Sequence, residues 1–230
     1  MKVKVSEINL TNIANSIREK LNVQTLYKPS EMSGAIDNIT SHTEEAKENL
    51  KKFVDHTATT INVPEGTTKI WNYKFYQYAD QYGTQVNCTL PSTITEIGVS
   101  SFYECKYMNI PNLPNSINKI GNNAFYKCYR ATFATLPPNI TSLEYNTFYE
   151  CTRITISSIP SGIKTINSQA FYGCTSLTTM TFEGKPTTFS NTAFQNCTNL
   201  TTINVPWSSG AVAGAPWGAT NATVVYNYTP

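Results

Sequence analysis

Charge is scarce in this sequence: Asp, Glu, Lys and Arg make up 14% of its 230 residues, where a soluble domain carries about 25%. The net charge is only +2. That excludes nucleic-acid binding through a basic patch, which neutralises phosphates with clustered Lys and Arg. Histidine is almost missing, with His42 and His56 alone, so no catalytic residue, metal ligand or cofactor is expected. No apolar run reaches the roughly 18 residues of a membrane-spanning helix, and membrane insertion is not expected. A secretory leader is not expected either, because Lys2 and Lys4 run into Glu7, Asn9 and Asn12 rather than an apolar core. Thr and Asn, by contrast, supply roughly a quarter of the chain, a composition of strands and turns.

The few charges divide the chain. Residues 1–56 hold 16 of them and the following 174 residues hold another 16, so the sequence predicts a domain boundary near residue 57. In the first segment Ile13, Ile17 and Leu21 share a helical face. A second short helix is predicted after Pro29, with Met32, Ile36 and Ile39 on one side. Ser41 with Glu44 fits a capping box that opens a third helix through Ala46, Leu50, Phe53 and Val54. Such narrow stripes predict a segment that docks onto a partner or self-associates rather than folding around its own core.

The remainder is a repeat array. Phe102, Phe125, Phe148, Phe171 and Phe194 recur every 23 residues, and Cys105, Cys128, Cys151, Cys174 and Cys197 follow them at the same period. Pro91, Pro114, Pro137, Pro160 and Pro206 lie on the same grid, with Glu183 at the remaining place. An earlier copy starts at Pro64 and contains Phe75; Tyr78 replaces its Cys, and an insertion around residues 80–83 lengthens it. Six copies in fixed phase predict a solenoid over residues 57–206. Pairs such as Ile94 with Ile97 and Ile163 with Ile166 mark its interior.

The unit Ile159, Pro160, Ile163, Ile166, Ala170, Phe171, Cys174, Leu177 resembles the BspA-like leucine-rich repeats. The resemblance implies a mainly β, curved solenoid with short strands on its concave side, a scaffold whose ligand the fold does not specify. The Cys column then faces inward along a line. Its thiols do not converge on a point, so buried reduced thiols are expected rather than disulfides or a zinc site. The glycosylation patterns at Asn87, Asn139, Asn196 and Asn221 are what a Thr- and Asn-rich chain produces by accident.

Two surfaces invite a binding role. Tyr76, Tyr103, Tyr126, Tyr149 and Tyr172 each follow a column Phe, so they face outward. They serve either as flat platforms for sugar rings or a protein partner or as a stack that stabilises adjacent coils. Beside them Glu104, Lys127 and Glu150 alternate in sign. The concave face is predicted to carry Asn62, Thr89, Asn112, Thr135, Ser158, Thr181 and Asn204, nearly without charge. Ile110, Phe133 and Ile156 break the pattern at a position that is polar in other copies. Either the strand register shifts and they turn inward, which is the expectation, or they form an exposed apolar patch.

The ends suggest a setting. Residues 5–39, with Ile13, Ile17, Arg18, Lys28, Pro29 and Met32, resemble the N-terminal segment of tail-associated proteins from phages of Gram-positive bacteria. The ending through Pro206, Trp207, Gly214, Pro216, Trp217 and Thr223 is similar to that of related virion proteins, which implies that residues 207–230 form a C-terminal cap on the last coil. These resemblances imply a non-enzymatic virion component. Residues 1–56 would attach it to other tail proteins, and its solenoid would meet a glycan or protein of the host envelope, with a homo-oligomer as a possible state. The alternatives are a bacterial surface adhesin and an architectural virion part without a receptor.

Overall fold

The computed structural model describes residues 59–78 and 85–229; the three helices expected within residues 1–56 lie outside them. Among the described residues there is no helix, and the architecture is a stack of β-coils. Four short sheets, in two columns, run through it. The first coils contribute β1 (Thr60–Asn62), β2 (Lys69–Ile70), β3 (Val86–Thr89), β4 (Glu96–Ile97), β5 (Met108–Asn109) and β6 (Lys119–Ile120). The later ones contribute β7 (Ser142–Leu143), β8 (Ser158–Ile159), β9 (Thr165–Ile166), β10 (Thr179–Phe182), β11 (Thr188–Phe189), β12 (Thr202–Asn204) and β13 (Thr223–Val225). Every pairing is parallel: β1-β3-β5 and β8-β10-β12-β13 along one side, β2-β4-β6 and β7-β9-β11 along another. β13 pairs with β12 in full register, so the expected cap is itself a further turn of the solenoid.

Like residues stack on like. The rings of Phe75, Phe102, Phe125, Phe148, Phe171 and Phe194 lie nearly parallel, with neighbouring centroids 5.1 to 5.7 Å apart. Each coil buries the same side chains, so the core is continuous from Ile61 to Ala219. The central coils reach it by a different register. Ile110, Phe133 and Ile156 are all buried, while Pro111, Ala134 and Ser157, their chain neighbours, are exposed. The register therefore shifts as expected, and no apolar patch forms. Its cost is in strand pairing: β3 and β5 pair only at Val86↔Met108 and Asn87↔Asn109, and residues 131–136 form no strand at all.

The Cys column has a second reason to recur besides size. Each thiol donates to the carbonyl of the Phe one coil earlier, from Cys105 to Phe75 at 2.7 Å and from Cys128 to Phe102 at 3.0 Å. Cys151, Cys174 and Cys197 repeat the bond to Phe125, Phe148 and Phe171. Valine would fill the space but lose the donor; serine would keep a donor with less apolar bulk. All six cysteines are buried and none forms a disulfide. Burial pushes the Cys128, Cys151 and Cys174 thiols up from their ordinary value, and those of Cys88 and Cys197 up to about 12. Since the thiolate is the reactive form, native protein is expected to react slowly with a thiol reagent at Cys128, Cys151 and Cys174. Mass-spectrometric mapping should find these sites labelled only after denaturation; rapid native labelling would refute the inward assignment.

Candidate recognition surface

The turn around each Phe is built from two residues in the left-handed region. Ser100 and Glu104 have φ of 51° and 53°, Asn123 and Lys127 54° and 57°, Asn146 and Glu150 54° and 52°. Asn123, Asn146 and Gly173 suit such positions, whereas Glu104, Lys127, Glu150 and Tyr73, the last at φ 58°, are larger residues held there by their coils. Between these bends the Phe points inward and the following Tyr outward. The second bend residue also donates its N–H to the Tyr carbonyl of the next coil: Glu104 to Tyr126 at 2.7 Å, Lys127 to Tyr149 at 2.7 Å, Glu150 to Tyr172 at 2.6 Å. Backbone bonds thus fix successive tyrosines in register.

Their rings stack as a result. Tyr76 and Tyr103 lie 4.9 Å apart, Tyr103 and Tyr126 4.6 Å, Tyr126 and Tyr149 4.5 Å, and Tyr149 and Tyr172 4.4 Å, with planes within 16° of parallel. The interior ring faces are therefore covered by each other. A flat platform on which a sugar ring could stack is absent along this column, and what it presents outward is a comb of ring edges and hydroxyls. Burial raises the Tyr103 and Tyr126 phenols above their ordinary value. Burial first, then the neighbouring Tyr172, pushes Tyr149 up to about 12. Polar partners border the comb: Asn196 donates to the Tyr172 hydroxyl at 2.6 Å, Gln77 to Glu104 at 3.0 Å, and Tyr129 to Glu150 at 3.2 Å. The Lys127 ammonium lies 5.4 Å from the Tyr126 ring centre.

The predicted polar column of the strand face is divided. Thr89 donates to Asn62 at 2.7 Å at one end, and Ser158, Thr181 and Asn204 are in register at the other, where Asn204 donates to Thr181 at 3.1 Å. Asn204 is nearly buried. Asn112 and Thr135 are exposed but belong to no strand, because the register shift removes them from the ladder. In their place a row that sequence reasoning missed runs through Asn87, Asn109 and Thr132, joined by side-chain bonds of 3.2 and 3.1 Å. The displaced Ile110 and Phe133 were its signal. Where the two registers meet, Cys88, Thr89, Leu90, Pro111 and Asn112 line a shallow cavity of about 140 Å³.

A charged ladder was also missed. Lys69, Glu96 and Lys119 face one another across β2, β4 and β6, with Glu96 3.0 and 3.1 Å from the two ammonium groups. The hydrogen bond from Lys69, aided by Lys119, holds the Glu96 carboxyl below its usual range against the effect of burial. Among the described residues no cluster of His, Cys, Asp and Glu could hold a metal ion.

The family model for the BspA type leucine rich repeat region matches in six copies, over residues 49–154 and 78–201. Among solved structures, the leucine-rich-repeat protein of T. pallidum aligns at 22% identity over 71% of this chain and 79% of its own, with a TM-score of 0.54. A leucine-rich cell surface protein of Faecalibacterium prausnitzii aligns at 19% identity over 74% of this chain and 64% of its own, with a TM-score of 0.42. No curated protein matches.

Proposed function

The chain belongs to the BspA-type leucine-rich-repeat family, and from that premise we propose that it is a non-enzymatic recognition scaffold displayed on an outer surface. The observation that carries this reading is the unbroken tyrosine stack from Tyr76 to Tyr172. It repeats one hydroxyl-tipped edge at nearly constant spacing along a rigid rod. Such a comb meets a repetitive glycan or protein surface in register, and weak contacts add along the row. In its finer form the proposal places the rod on a phage particle, attached through residues 1–56 and contacting the host envelope. The support is the resemblance of residues 5–39 and of the chain's ending to virion proteins. Family membership favours a second carrier, the surface of a bacterium, and antibody labelling of purified particles and of cells separates the two.

The stacking dictates how the surface is tested. Alanine at these positions would remove both the binding edge and the inter-coil stack, each ring pair of which contributes about 0.5–1.5 kcal/mol. Phenylalanine keeps the stack and removes only the hydroxyl. The combined Tyr103→Phe, Tyr126→Phe, Tyr149→Phe variant is expected to keep its melting temperature and to adsorb at least about tenfold less to isolated envelopes, as loss of about 0.5 kcal/mol per hydroxyl implies. Unchanged adsorption would rule out the comb and turn attention to the row of Asn87, Asn109 and Thr132.

A further inference from the structure

Two of the three arginines in the chain, Arg130 and Arg153, stand one period apart at the same place in consecutive coils. Each lies in the turn that follows a column Cys. The Cys128 carbonyl accepts from the Ala131 N–H at 3.2 Å, and the Cys151 carbonyl from that of Ile154 at 3.4 Å. Both ends of each turn are buried, so its middle pair, Tyr129 with Arg130 or Thr152 with Arg153, is carried on the outside. Arg130 is half-buried and Arg153 exposed. The coils are close here: the rings of Tyr126 and Tyr149, each four residues before an arginine, are 4.5 Å apart.

The same place in the next two coils serves the fold. Ser176 donates its hydroxyl to the Thr152 carbonyl at 2.6 Å, and Asn199 its amide to the Thr175 carbonyl at 2.8 Å, each bonding the turn one coil back. The arginines give up this bond, and neither guanidinium has a hydrogen bond or ion pair to another described residue. The neighbouring carboxylates are engaged elsewhere. Glu104 accepts from Gln77 at 3.0 Å and lies 3.9 Å from the Lys106 ammonium, and Glu150 accepts from Tyr129 at 3.2 Å. Like charges on adjacent coils repel, so the fold gains nothing from the pair. Lys127, whose ammonium lies over the Tyr126 ring, adds to the positive field.

Arginine is the residue of bidentate recognition, because its planar fork matches two oxygens of a carboxylate or phosphate. We propose that Arg130 and Arg153 form an anion clamp beside the tyrosine comb, so that the polymer met by the comb is an acidic glycan. The proposal rests on the comb as the neighbouring contact and adds the class of its ligand. The tyrosine hydroxyls face sugar hydroxyls, and carboxylate or phosphate groups of the same polymer sit in the two forks. A protein partner fits less well. The exposed large hydrophobic residues among those described are Trp71, Tyr73, Tyr76, Tyr145 and Val225, none of them in either arginine's turn, so the apolar centre of a protein interface is missing. A nucleic acid finds no stacking platform for its bases, since the interior rings of the comb cover one another.

Three forms of one polymer test this with the full chain: neutral dextran, carboxymethyl dextran and phosphorylated dextran, immobilised at equal density, with single-stranded DNA as a fourth ligand. The wild type should bind at least one acidic form about tenfold or more tighter than neutral dextran, as one charge-assisted hydrogen bond implies. The preference should vanish at about 1 M salt, where the Debye length is about 3 Å, and the tighter of the two acidic forms identifies the anion. The Arg130→Gln, Arg153→Gln variant should lose the preference yet keep at least the wild-type melting temperature, since the repulsion goes with the charges. Lys164→Gln with Lys185→Gln removes the same net charge elsewhere on the rod and should bind as the wild type does. Arg130→Lys with Arg153→Lys keeps the charge without the fork and should recover only part of the affinity. Equal binding of all three dextrans, an undiminished preference in the glutamine pair, the same loss in the Lys164 and Lys185 control, full affinity in the lysine pair, or DNA bound more tightly than the acidic dextrans would each overturn the proposal. The comb is judged separately. If Tyr103→Phe, Tyr126→Phe, Tyr149→Phe loses adsorption to envelopes while the glutamine pair keeps its preference, the clamp alone fails; the reverse result fails the comb alone.

Discussion

Replacing Trp217 with alanine is expected to loosen the solenoid from its C-terminal end. The indole is fully buried and stacks on Phe189 at 4.3 Å. Phe182 and Trp207 close around it at 6.2 and 6.3 Å, and its Nε1 donates to the Ala213 carbonyl at 2.9 Å. It thereby seals the apolar end of the column and ties down the segment that leads to β13. Truncation removes a large buried aromatic, at a cost of about 3–5 kcal/mol. At about 3 °C per kcal/mol for a domain of this size, the melting temperature should fall by roughly 10 °C. Limited proteolysis should open the chain first after residue 207. A loss of only a degree or two would show that the last coil needs no aromatic plug.

Phe148→Ala acts differently because it lies in the middle. Its ring is stacked between Phe125 at 5.7 Å and Phe171 at 5.4 Å, with Phe133 5.5 Å away. The direct loss is again about 3–5 kcal/mol, but here it falls on the contact that couples the two halves. In an array stabilised by nearest neighbours, weakening one interior interface lets the halves unfold separately. Calorimetry should then give a van't Hoff enthalpy below the calorimetric one, where the wild type gives a single transition. A single, merely shifted transition in Phe148→Ala would mean that the strand ladders, not the ring column, carry the cooperativity.

The sequence made the array legible because one coil solves the packing problem for all of them. The 23-residue spacing of Phe102 through Phe194 revealed the solenoid, the inward thiols and the outward tyrosines, and Ile110, Phe133 and Ile156 revealed the register shift. What stayed hidden was lateral. A periodic pattern says which residues repeat, but not whether an outward Tyr lies edge-on or face-on, and that is decided by the bond from Glu104 to Tyr126 and its equivalents. The same holds for Asn112 and Thr135, which the pattern assigns to a ladder that the shift removes. The end was hidden for another reason. Trp217 falls one period after Phe194, but it is Trp rather than Phe and Thr220 stands where the Cys would follow, so the broken pattern disguised it as part of a closing segment.

The link from each thiol to the carbonyl one coil back bears on how such a chain can change length over generations. Because the partner of Cys151 is Phe125 and that of Cys128 is Phe102, removing a block of one period would present Cys151 to the carbonyl that Cys128 had occupied. Duplicating the block would create a new pair of the same kind. The three coils containing Ile110, Phe133 and Ile156 share one register, so unequal crossing-over within them would leave both register boundaries intact. The first described coil behaves otherwise, since Trp71 stands where Gly98 and Gly121 stand in the next coils. A Cβ at either glycine would come within 2.7 Å of the preceding coil, so Trp71 could not be copied into those two coils, whereas Glu144, Asn167 and Ser190 hold the same place further along. Growth and shrinkage of the rod are therefore easiest between coils that carry the same residue at this place.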